Sequence, residues 1–463
     1  MPLRLYDTLT RSTQHVHPMD SDTVRFYCCG PTVYGPAHIG NFRTFVMQDV
    51  FRRVVEADGT ITRHVRNLTD VDDKTIRESQ KASLTLESFT SEWTHKYHQD
   101  CQALNLLTPH VEPSAVAHIP EQVAMIEQLL ASDHAYITKD GSVYFRIDSF
   151  AEYGKLSRLK EREITTTQVE RQQSDEYERE SAADFVLWKA RRPEDGYNYW
   201  ESPWGQGRPG WHLECSAMAI KHLGESFDLH SGGVDLIFPH HENEIAQSEA
   251  TTNKPFVRHW FHIAHLMVDG EKMSKSLGNL YTLADIRSQG FTAEELRYVL
   301  LSANYRQVLN FTWDSLTAAK KALSRLRDFK QKLGNSPATN SHDFSVFHPV
   351  LVALQTDLNT ADALGRLFKI IKTVQSDLAQ EKLTPDQIHA ARIGFANVMK
   401  AFGFSLTDNQ NNDAPIYIKQ LAETRWQAKQ NKDWEQSDAL RKELSTAGWT
   451  VKDTADSYTI IRL

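Results

Sequence analysis

The stretch VRFYCCGPTVYGPAHIGN, residues 24–41, decides how the fold begins. Val24–Cys29 predicts a short apolar strand, and a turn rich in glycine and proline follows it. A helix then begins near Gly40, because apolar residues recur at helical spacing after it. A second strand is predicted at Ile61–Arg66 and another helix at Asp73–Ser79. Strand, loop, helix and strand in this order are typical of a parallel α/β sheet, although the first strand is not followed by the G-x-G-x-x-G of ordinary dinucleotide sites.

The α/β pattern is interrupted over about residues 95–205, which we interpret as an insertion. The insertion is expected to contain a helix, a strand and a polar surface loop, in the order Glu121–Ala131, Val143–Ile147 and Glu161–Ser181. The sheet is expected to resume near Pro209, and Phe227–His230 predicts one of its strands.

From about residue 311 onward the pattern is helical. Four segments have the periodicity of bundle helices: Ala318–Leu333, Phe347–Leu358, Ala361–Ala379 and Pro385–Phe402. An Asn- and Asp-rich linker, Asp408–Asp413, separates them from a small last module. That module is predicted to contain two helices and a hairpin, at Ile416–Lys429, Trp434–Thr446, Trp449–Lys452 and Tyr458–Arg462. We therefore expect three domains: residues 1–310 (α/β, with the insertion), 311–407 (helical bundle) and 414–463 (α+β).

The composition is that of a globular protein of several domains. The 463 residues are 40% hydrophobic and 24% charged. Only four cysteines occur, and there is no apolar signal segment, so we expect a cytoplasmic protein with free or metal-bound thiols and no membrane span. The net charge of −8 is uneven, since residues 311–463 hold roughly 20 Lys and Arg against about 17 Asp and Glu. A basic face in the C-terminal part therefore remains compatible with nucleic acid binding.

The tetrapeptide His38-Ile39-Gly40-Asn41 lies where a loop enters a helix. Unpaired backbone N–H groups and the helix dipole favour an anion at such a position. Gly40 allows a ligand to approach the backbone, and His38 can donate a hydrogen bond to a phosphate oxygen. Asn41 can also donate, but it carries no charge. Taken alone, a His-x-Gly turn is equally compatible with a purely structural role.

A second short signature, Lys272-Met273-Ser274-Lys275-Ser276, lies far along the chain between two glycines. Two lysines and two serines in such a segment predict a mobile basic loop that can close on a leaving pyrophosphate. Lys272 and Lys275 are the candidate catalytic cations. Together with the His38 segment, this loop suggests a site for the triphosphate of ATP.

A third group of residues has the chemistry of a metal site. His240 and Glu244 are four residues apart in a predicted helix after Pro239, so both would project from one face, whereas His241 would point elsewhere. Cys215 lies near the start of another predicted helix, where a thiolate is favoured. Two thiolates, one imidazole and one carboxylate make a tetrahedral zinc set. The second thiolate would come from Cys28 or Cys29, because side chains alternate along a strand.

These motifs resemble those of the cysteinyl-tRNA synthetases, a family of class I aminoacyl-tRNA synthetases. The resemblance rests on Cys29-Gly30-Pro31-Thr32-Val33-Tyr34, the two signatures, Asn67–Lys74, Gly210–Cys215, His230–Glu244, Asp357–Leu364 and Lys432–Thr454, and covers essentially the whole chain. The first signature departs from the family's usual His-Ile-Gly-His in having Asn41. The family pattern selects Cys29 over Cys28 as a metal ligand.

The resemblance implies a Rossmann-type catalytic domain split by a connective insertion, followed by a tRNA-binding bundle and an anticodon-reading end. It implies that L-cysteine and ATP, with Mg²⁺, form cysteinyl-adenylate, which is then transferred to the 3′ end of tRNA(Cys). His38 and Lys275 would stabilise the first transition state. One zinc ion on Cys29, Cys215, His240 and Glu244 would bind the substrate thiolate, so the ligands must leave room for a fifth. The family is usually monomeric.

The resemblance also suggests weaker assignments. Trp211 would wall the amino-acid pocket, although a tryptophan is as often a core residue. Asp235, after two glycines, would contact the nucleotide, although it is equally compatible with a simple turn.

Two other functions fit part of the sequence. A ligase that passes activated cysteine to the amine of an amino-sugar would share the catalytic half, but it needs no anticodon module. A non-catalytic tRNA-binding or zinc-scaffold protein would have no reason to keep His38, the lysine loop and the metal ligands together.

Overall fold

The structure is a computed structural model that describes residues 3–20, 22–159, 184–274, 277–334, 342–406, 414–453 and 457–462. Its strands, in chain order, are β1 Arg4–Asp7, β2 Ser12–His15, β3 Thr23–Cys28, β4 Ile61–Arg66, β5 Ala135–Ile137, β6 Val143–Phe145, β7 Phe185–Ala190, β8 Gly207–Pro209, β9 Phe227–Gly233, β10 Val257–Ile263, β11 Leu266–Val268, β12 Glu271–Lys272, β13 Leu309–Phe311, β14 Trp449–Asp453 and β15 Tyr458–Arg462. Its helices are α1 Ile39–Ala57, α2 Asp73–Lys81, α3 Leu86–Ala103, α4 Ile119–Ala131, α5 Trp211–Leu223, α6 Glu242–Thr252, α7 Leu283–Ser288, α8 Ala293–Leu300, α9 Trp313–Leu333, α10 His348–Gln355, α11 Thr360–Ala379, α12 Pro385–Phe402, α13 Ile416–Gln430 and α14 Trp434–Thr446.

Four parallel strands form the central sheet, in the order β10-β9-β3-β4. β3 is buried over most of its length, as expected of a parallel strand that is covered on both faces. Helix α1 connects β3 to β4, and α6 lies between β9 and β10, so each half of the sheet is a β-α-β unit. From β3 the chain continues to β4 on one side of the sheet, and from β9 it continues to β10 on the other side. The carboxyl ends of β3 and β9 therefore flank the kind of crevice in which α/β proteins bind ligands. The predicted parallel sheet is confirmed.

The two adjacent cysteines lie on opposite faces of this sheet. Cys28 packs with Phe26 in the core beneath α1, whereas Cys29 packs with Tyr27 and Cys215 in the core beneath α5. This is the alternation predicted from the strand.

The insertion between β4 and β9 contains an antiparallel sheet in the order β5-β6-β7-β8. Helix α4 packs on it through Ile126 and Leu129. The strand near Pro209 belongs to this sheet and not, as predicted, to the parallel one. Trp188 pairs with Pro209, and α5 follows, so the parallel sheet resumes only at Phe227.

The helices after β13 form a bundle whose core is continuous with that of α1. The rings of Phe329, Phe347 and Phe395 contact one another at its centre, with centroids 5.0 to 6.2 Å apart. Helix α12 ends at Gly403, whose φ of 68° is left-handed, and the buried Arg297 of α8 lies against that turn. The four predicted bundle helices are confirmed, with small shifts at their ends.

The last module consists of α13, α14 and the antiparallel hairpin β14–β15, as predicted. Its small core includes Ile418, Leu444 and Trp449. The buried guanidinium of Arg425 is paired with Asp453 at the end of β14.

Three sequence predictions fall outside the described residues: the polar loop Glu161–Ser181, the linker Asp408–Asp413, and Lys275 with Ser276 of the lysine signature. None of the described helices combines the length and apolarity that a membrane crossing requires.

Candidate active site and metal centre

His38 is the N-cap residue of α1. Its Nδ1 accepts a hydrogen bond from the N–H of Asn41 at 3.2 Å, and its own N–H donates to Asn41 Oδ1 at 3.0 Å. Because Nδ1 accepts, the neutral ring carries its proton on Nε2. Burial lowers the pKa of His38, against a smaller opposing effect of the Asp235 charge. His38 thus presents a neutral N–H donor at a helix N-terminus. The side-chain oxygen of Asn41 is already used in capping that terminus.

The second signature lies directly beside the first. A Cβ built on Gly40 would be 3.0 Å from His38 Nδ1 and 3.2 Å from Met273 Sδ, so Met273 packs closely over Gly40. Nearby, the N–H of Ile39 donates to the carbonyl of Tyr281 at 2.8 Å. The structure therefore brings together two segments that are more than 200 residues apart in sequence.

The lysine segment begins as the short strand β12. Lys272 is exposed, and its carbonyl accepts a hydrogen bond from Asn279 Nδ2 at 3.2 Å. The Oδ1 of the same asparagine accepts from the N–H of Ser274 at 2.8 Å, so Asn279 closes the base of the loop.

Asp235 lies in a short turn, Val234–Leu236, directly after β9. Its carboxylate lies against the backbone of Gly233, at the end of β9. Its contact with a nucleotide stays a prediction.

A buried group of side chains with metal-ligand chemistry lies at the carboxyl end of β3. One ligand atom from each of Cys29, His240, His241 and Glu244 lies within 4.8 Å of the others. Cys29 Sγ is 3.3 Å from His241 Nε2 and 3.8 Å from Glu244 Oε1. His240 Nε2 is 2.9 Å from Glu244 Oε1.

Cys215 of α5, the fourth predicted ligand, is buried in the same core cluster as Cys29. The four ligand atoms that lie within 4.8 Å of one another include one from His241 and none from Cys215. The hydrogen bond with Cys29 lowers the pKa of the Cys215 thiol to about 6, although burial acts in the opposite direction. A thiol with a lowered pKa is readily available as a thiolate ligand.

The prediction that His241 points away from this group is wrong. Residues 237–241 are not a regular helix, because Phe238 is extended (φ −141°, ψ 132°) and α6 begins only at Glu242. Both His240 and His241 reach Glu244, as its i,i+4 and i,i+3 neighbours. Residues three apart lie on the same face of a helix, so the sequence contained this signal, and the prediction missed it by considering only the i,i+4 pair.

Electrostatics in the cluster favour a bound cation. Burial alone raises the pKa of the Glu244 carboxyl, but the charges of His230 and His240 outweigh it and lower the pKa to about 2. Burial lowers the pKa of His240, but the charge of Glu244 and the hydrogen bond with Cys215 raise it to about 10. The buried carboxylate is thus balanced by a proton on His240. A metal ion could take the place of that proton, and thiols, imidazoles and a carboxylate suit such an ion.

Further histidines that the sequence analysis missed orient the cluster. His230 of β9 lies with its Nε2 2.9 Å from Glu244 Oε2. His262 of β10 bridges His241 and Thr8, with its Nε2 2.7 Å from His241 Nδ1 and its Nδ1 2.8 Å from Thr8 Oγ1. Such contacts fix ring orientation in metal sites. Their positions on two adjacent parallel strands were the available signal.

Trp211 begins α5, and its ring centroid is 4.3 Å from that of His240. The indole therefore borders the cluster. Its role in binding an amino acid stays a prediction.

Comparison with known proteins identifies the family. Residues 15–321 match the model of the class I tRNA synthetase (C) catalytic domain, and residues 350–407 match the DALR domain. A cysteine–tRNA ligase of Opitutus terrae is 51% identical over 468 residues, with 99% of each chain covered. The chain belongs to the family of class I cysteine–tRNA ligases. A second relative, the cysteine–tRNA ligase of Chlamydia caviae, is 42% identical and covers 100% of this chain and 98% of its own.

Solved structures show the same fold at low identity. Mycobacterium tuberculosis methionyl-tRNA synthetase with methionyl-adenylate matches 82% of this chain and 89% of its own, with a TM-score of 0.55 and 14% identity. A putative arginyl-tRNA synthetase from Campylobacter jejuni matches 83% and 92%, with a TM-score of 0.51 and 14% identity. The Rossmann-type class expected for the catalytic part agrees with these matches.

Proposed function

We propose that this chain activates L-cysteine with ATP to form cysteinyl-adenylate and transfers the cysteinyl group to the 3′ end of tRNA(Cys). The observation that supports this most directly is that the thiol- and imidazole-rich cluster and the His38 segment both lie at the carboxyl end of β3. A site selective for a thiol substrate thus lies beside a site suited to phosphate.

We propose one zinc ion per chain, with Cys29, Cys215, His240 and Glu244 as its ligands. When bound, zinc supplies a cation that prefers a thiolate to a hydroxyl, which would separate cysteine from serine without editing. His230 holds Glu244 in place, and His262 holds the neighbouring ring of His241.

The residues of the two signatures would act on ATP, which enters with Mg²⁺. The cysteine carboxylate attacks the α-phosphate, and pyrophosphate leaves. The Nε2–H of His38 can donate to the phosphate oxygen on which negative charge develops. Lys272 and Lys275 would stabilise the departing pyrophosphate, and Gly40 lets the nucleotide approach α1. Asp235 would contact the nucleotide, Trp211 would cover the amino acid, and Asn41 would act chiefly by holding His38.

We propose that each of the three domains has the function expected from the sequence. Residues 1–310 would catalyse, residues 311–407 would hold the tRNA, and residues 414–463 would read the anticodon. The DALR match at residues 350–407 supports the second of these assignments. We expect the chain to act as a monomer in the cytoplasm.

The test is cysteine-dependent charging of tRNA(Cys), with serine and an amino-sugar acceptor measured in parallel. We expect cysteinyl-tRNA with cysteine and negligible product with serine. If adenylate forms but tRNA is not charged, and the amino-sugar is acylated instead, the amine-ligase function replaces this one.

A further inference from the structure

The two cysteines that we propose as thiolate ligands belong to separate parts of the chain. Cys29 directly follows β3, and Cys215 lies on α5, yet both are buried in the same core cluster. Two thiols bind one metal ion tightly only if the protein holds the segments that carry them at a fixed separation. The interactions that fix this separation are therefore part of the metal centre.

A buried chain of hydrogen bonds connects the two segments. The N–H of Gly30, next to the first cysteine, donates to Asn67 Oδ1 at 2.9 Å. Asn67 Nδ2 donates to Thr69 Oγ1 at 3.1 Å. Thr69 Oγ1 in turn donates at 3.1 Å to Oε2 of Glu214, which is next to the second cysteine. Three side chains thus join the loop after β3 to α5.

Backbone contacts fix the first end of this chain of hydrogen bonds. The N–H of Thr69 donates to the carbonyl of Pro31 at 3.1 Å, and the N–H of Val33 donates to the carbonyl of Thr69 at 3.1 Å. A Cβ at Gly30 would lie 1.7 Å from the carbonyl oxygen of Asn67, so this position requires glycine. The loop after β3 therefore lies directly on residues 67–69.

The direction of the hydrogen bonds requires an acceptor at position 214. Asn67, Thr69 and Glu214 are all buried, at 1%, 2% and 1% exposure, so bulk water does not supply their partners. A threonine hydroxyl has a single proton, and Thr69 Oγ1 already accepts from Asn67, so its proton is the one donated to Glu214. A carboxylate or an amide oxygen can accept this bond, and an apolar side chain cannot.

The nearest cations do not account for the buried Glu214. Lys189 and Arg208 line the same small cavity as Glu214, but both are paired with Asp73. A buried carboxyl group is costly unless hydrogen bonds compensate for the lost water. The bond from Thr69 is such a compensation, and it places Glu214 at the end of the chain.

We propose that Glu214 is a positioning residue of the metal centre, which through Thr69 and Asn67 holds Cys215 at a fixed separation from Cys29. Groups that orient metal ligands by hydrogen bonds commonly change metal affinity by about 10- to 100-fold. The inference rests on the proposed zinc site and deepens it, because it names the residues that set the spacing of the two thiols.

The experiment measures the zinc affinity of the full-length protein, without substrates, by competition with a chelator. Glu214→Leu and Thr69→Val each remove the connecting bond, and we expect both to weaken zinc binding about tenfold. Glu214→Gln and Thr69→Ser keep an acceptor and a hydroxyl, so their affinities should stay within about twofold of the wild type. Thr90→Val is the matched control, since this buried hydroxyl donates to the carbonyl of Leu86 within α3 at 2.8 Å, and it should leave zinc affinity unchanged.

Co²⁺ in place of Zn²⁺ supplies a readout that a general loss of stability would not change. The charge-transfer absorption of bound Co²⁺ increases with the number of thiolate ligands, and Cys215→Ser marks the level that remains without the second thiolate. At saturating Co²⁺ the absorption of Glu214→Leu should fall from the wild-type level towards that of Cys215→Ser.

The outcomes that contradict the inference differ from those that contradict the zinc site. Wild-type zinc affinity and wild-type Co²⁺ absorption in both Glu214→Leu and Thr69→Val would overturn the positioning role alone. An equal loss of affinity in Thr90→Val would also overturn it, because the effect would then follow from any buried hydroxyl. A wild-type protein that binds neither ion would contradict the proposed zinc site itself, and this inference with it.

Discussion

Asp49 and Arg297 form a buried ion pair, with Arg297 Nη2 2.5 Å from Asp49 Oδ2, although 248 residues separate them. Asp49 lies on α1, whose N-cap residue is His38, and Arg297 lies on α8. The guanidinium also donates to the carbonyl of Phe402, at the end of the bundle helix α12, at 2.8 Å. One side chain thus joins the helix of the phosphate site to the bundle.

Asp49 Oδ2 also pairs with Arg53 Nε at 2.7 Å. We expect Asp49→Asn to destabilise the protein by about 3 kcal/mol, because it leaves two buried arginines, Arg297 and Arg53, without their counter-ion. Urea unfolding at neutral pH measures the change. Asp362→Asn is a matched control, since Asp362 pairs with Arg366 in an exposed i,i+4 contact whose loss should cost less than about 1 kcal/mol. Equal losses of unfolding free energy in the two variants would show that burial does not increase the contribution of the Asp49 carboxylate.

The two adjacent cysteines allow a sharp test of the metal centre. Cys29→Ala should lower the zinc content of the purified protein from about one ion per chain, because a ligand is lost. Cys28→Ala should leave the zinc content unchanged, because its thiol lies on the other face of the sheet. Elemental analysis gives the result, and circular dichroism checks that both variants are folded.

Cys215 can be tested in the same way. Cys215→Ser should lower the zinc content and impair cysteine binding, because a hydroxyl is a poor substitute for a thiolate ligand. Unchanged zinc content in this variant would remove Cys215 from the proposed ligands and leave His241 as the alternative fourth donor.

Lys275→Ala should lower the rate of cysteine-dependent pyrophosphate exchange about a hundredfold, because a cation that stabilises the departing pyrophosphate is lost. The affinity for tRNA should change little. Lys254→Ala is a suitable control, since that exposed lysine pairs with Glu225 away from the crevice. An unimpaired exchange rate in Lys275→Ala would rule out its role in catalysis.

His64 makes part of the stability depend on pH. Burial and the charges of Arg66 and Arg52 lower its pKa well below 6.5, and neither ring nitrogen has a hydrogen-bond partner among the described residues. The unfolded chain therefore takes up a proton near pH 6.5 that the folded chain does not. The contribution is complete above pH 6.5 and is lost as the pH falls below it.

Between pH 7.5 and pH 5.5 this single site should cost the wild type about 1.4 kcal/mol of stability. His64→Leu should lose correspondingly less stability over the same interval, as measured by urea unfolding at the two pH values. His95→Leu, at an exposed position of α3, should retain the pH dependence of the wild type. If His64→Leu has the wild-type pH dependence, His64 is not a titrating core residue.

Much of the fold could be predicted because local patterns and tertiary structure agree. The predicted bounds of β4 and α12 agree with the observed ones, because apolar periodicity marks both elements. A Thr-Pro start also marks the beginning of α12. Helix α9 begins five residues before its predicted start, because Thr312 caps it together with Ser315, a signal that apolar periodicity alone does not contain.

The site was predictable where local spacing brings side chains together and not where distant strands do. His240 and Glu244 meet as their spacing predicted. His241 also meets Glu244, and its i,i+3 spacing on a helix would have predicted the contact. His230 and His262 come from different strands, and only the strand order brings them to the cluster.

The contact between Arg297 and the turn after α12 limits which domains can be exchanged between relatives. A Cβ at position 403 would lie 2.2 Å from Arg297 Nη2, and the backbone there has a φ of 68°. A chimera that joins this catalytic part to a foreign bundle would need a glycine at that position, or a smaller residue in place of Arg297. Among the contacts that join the two halves, this pair sets a steric requirement that can be read from sequence, so shuffled libraries can be filtered by it before any protein is made.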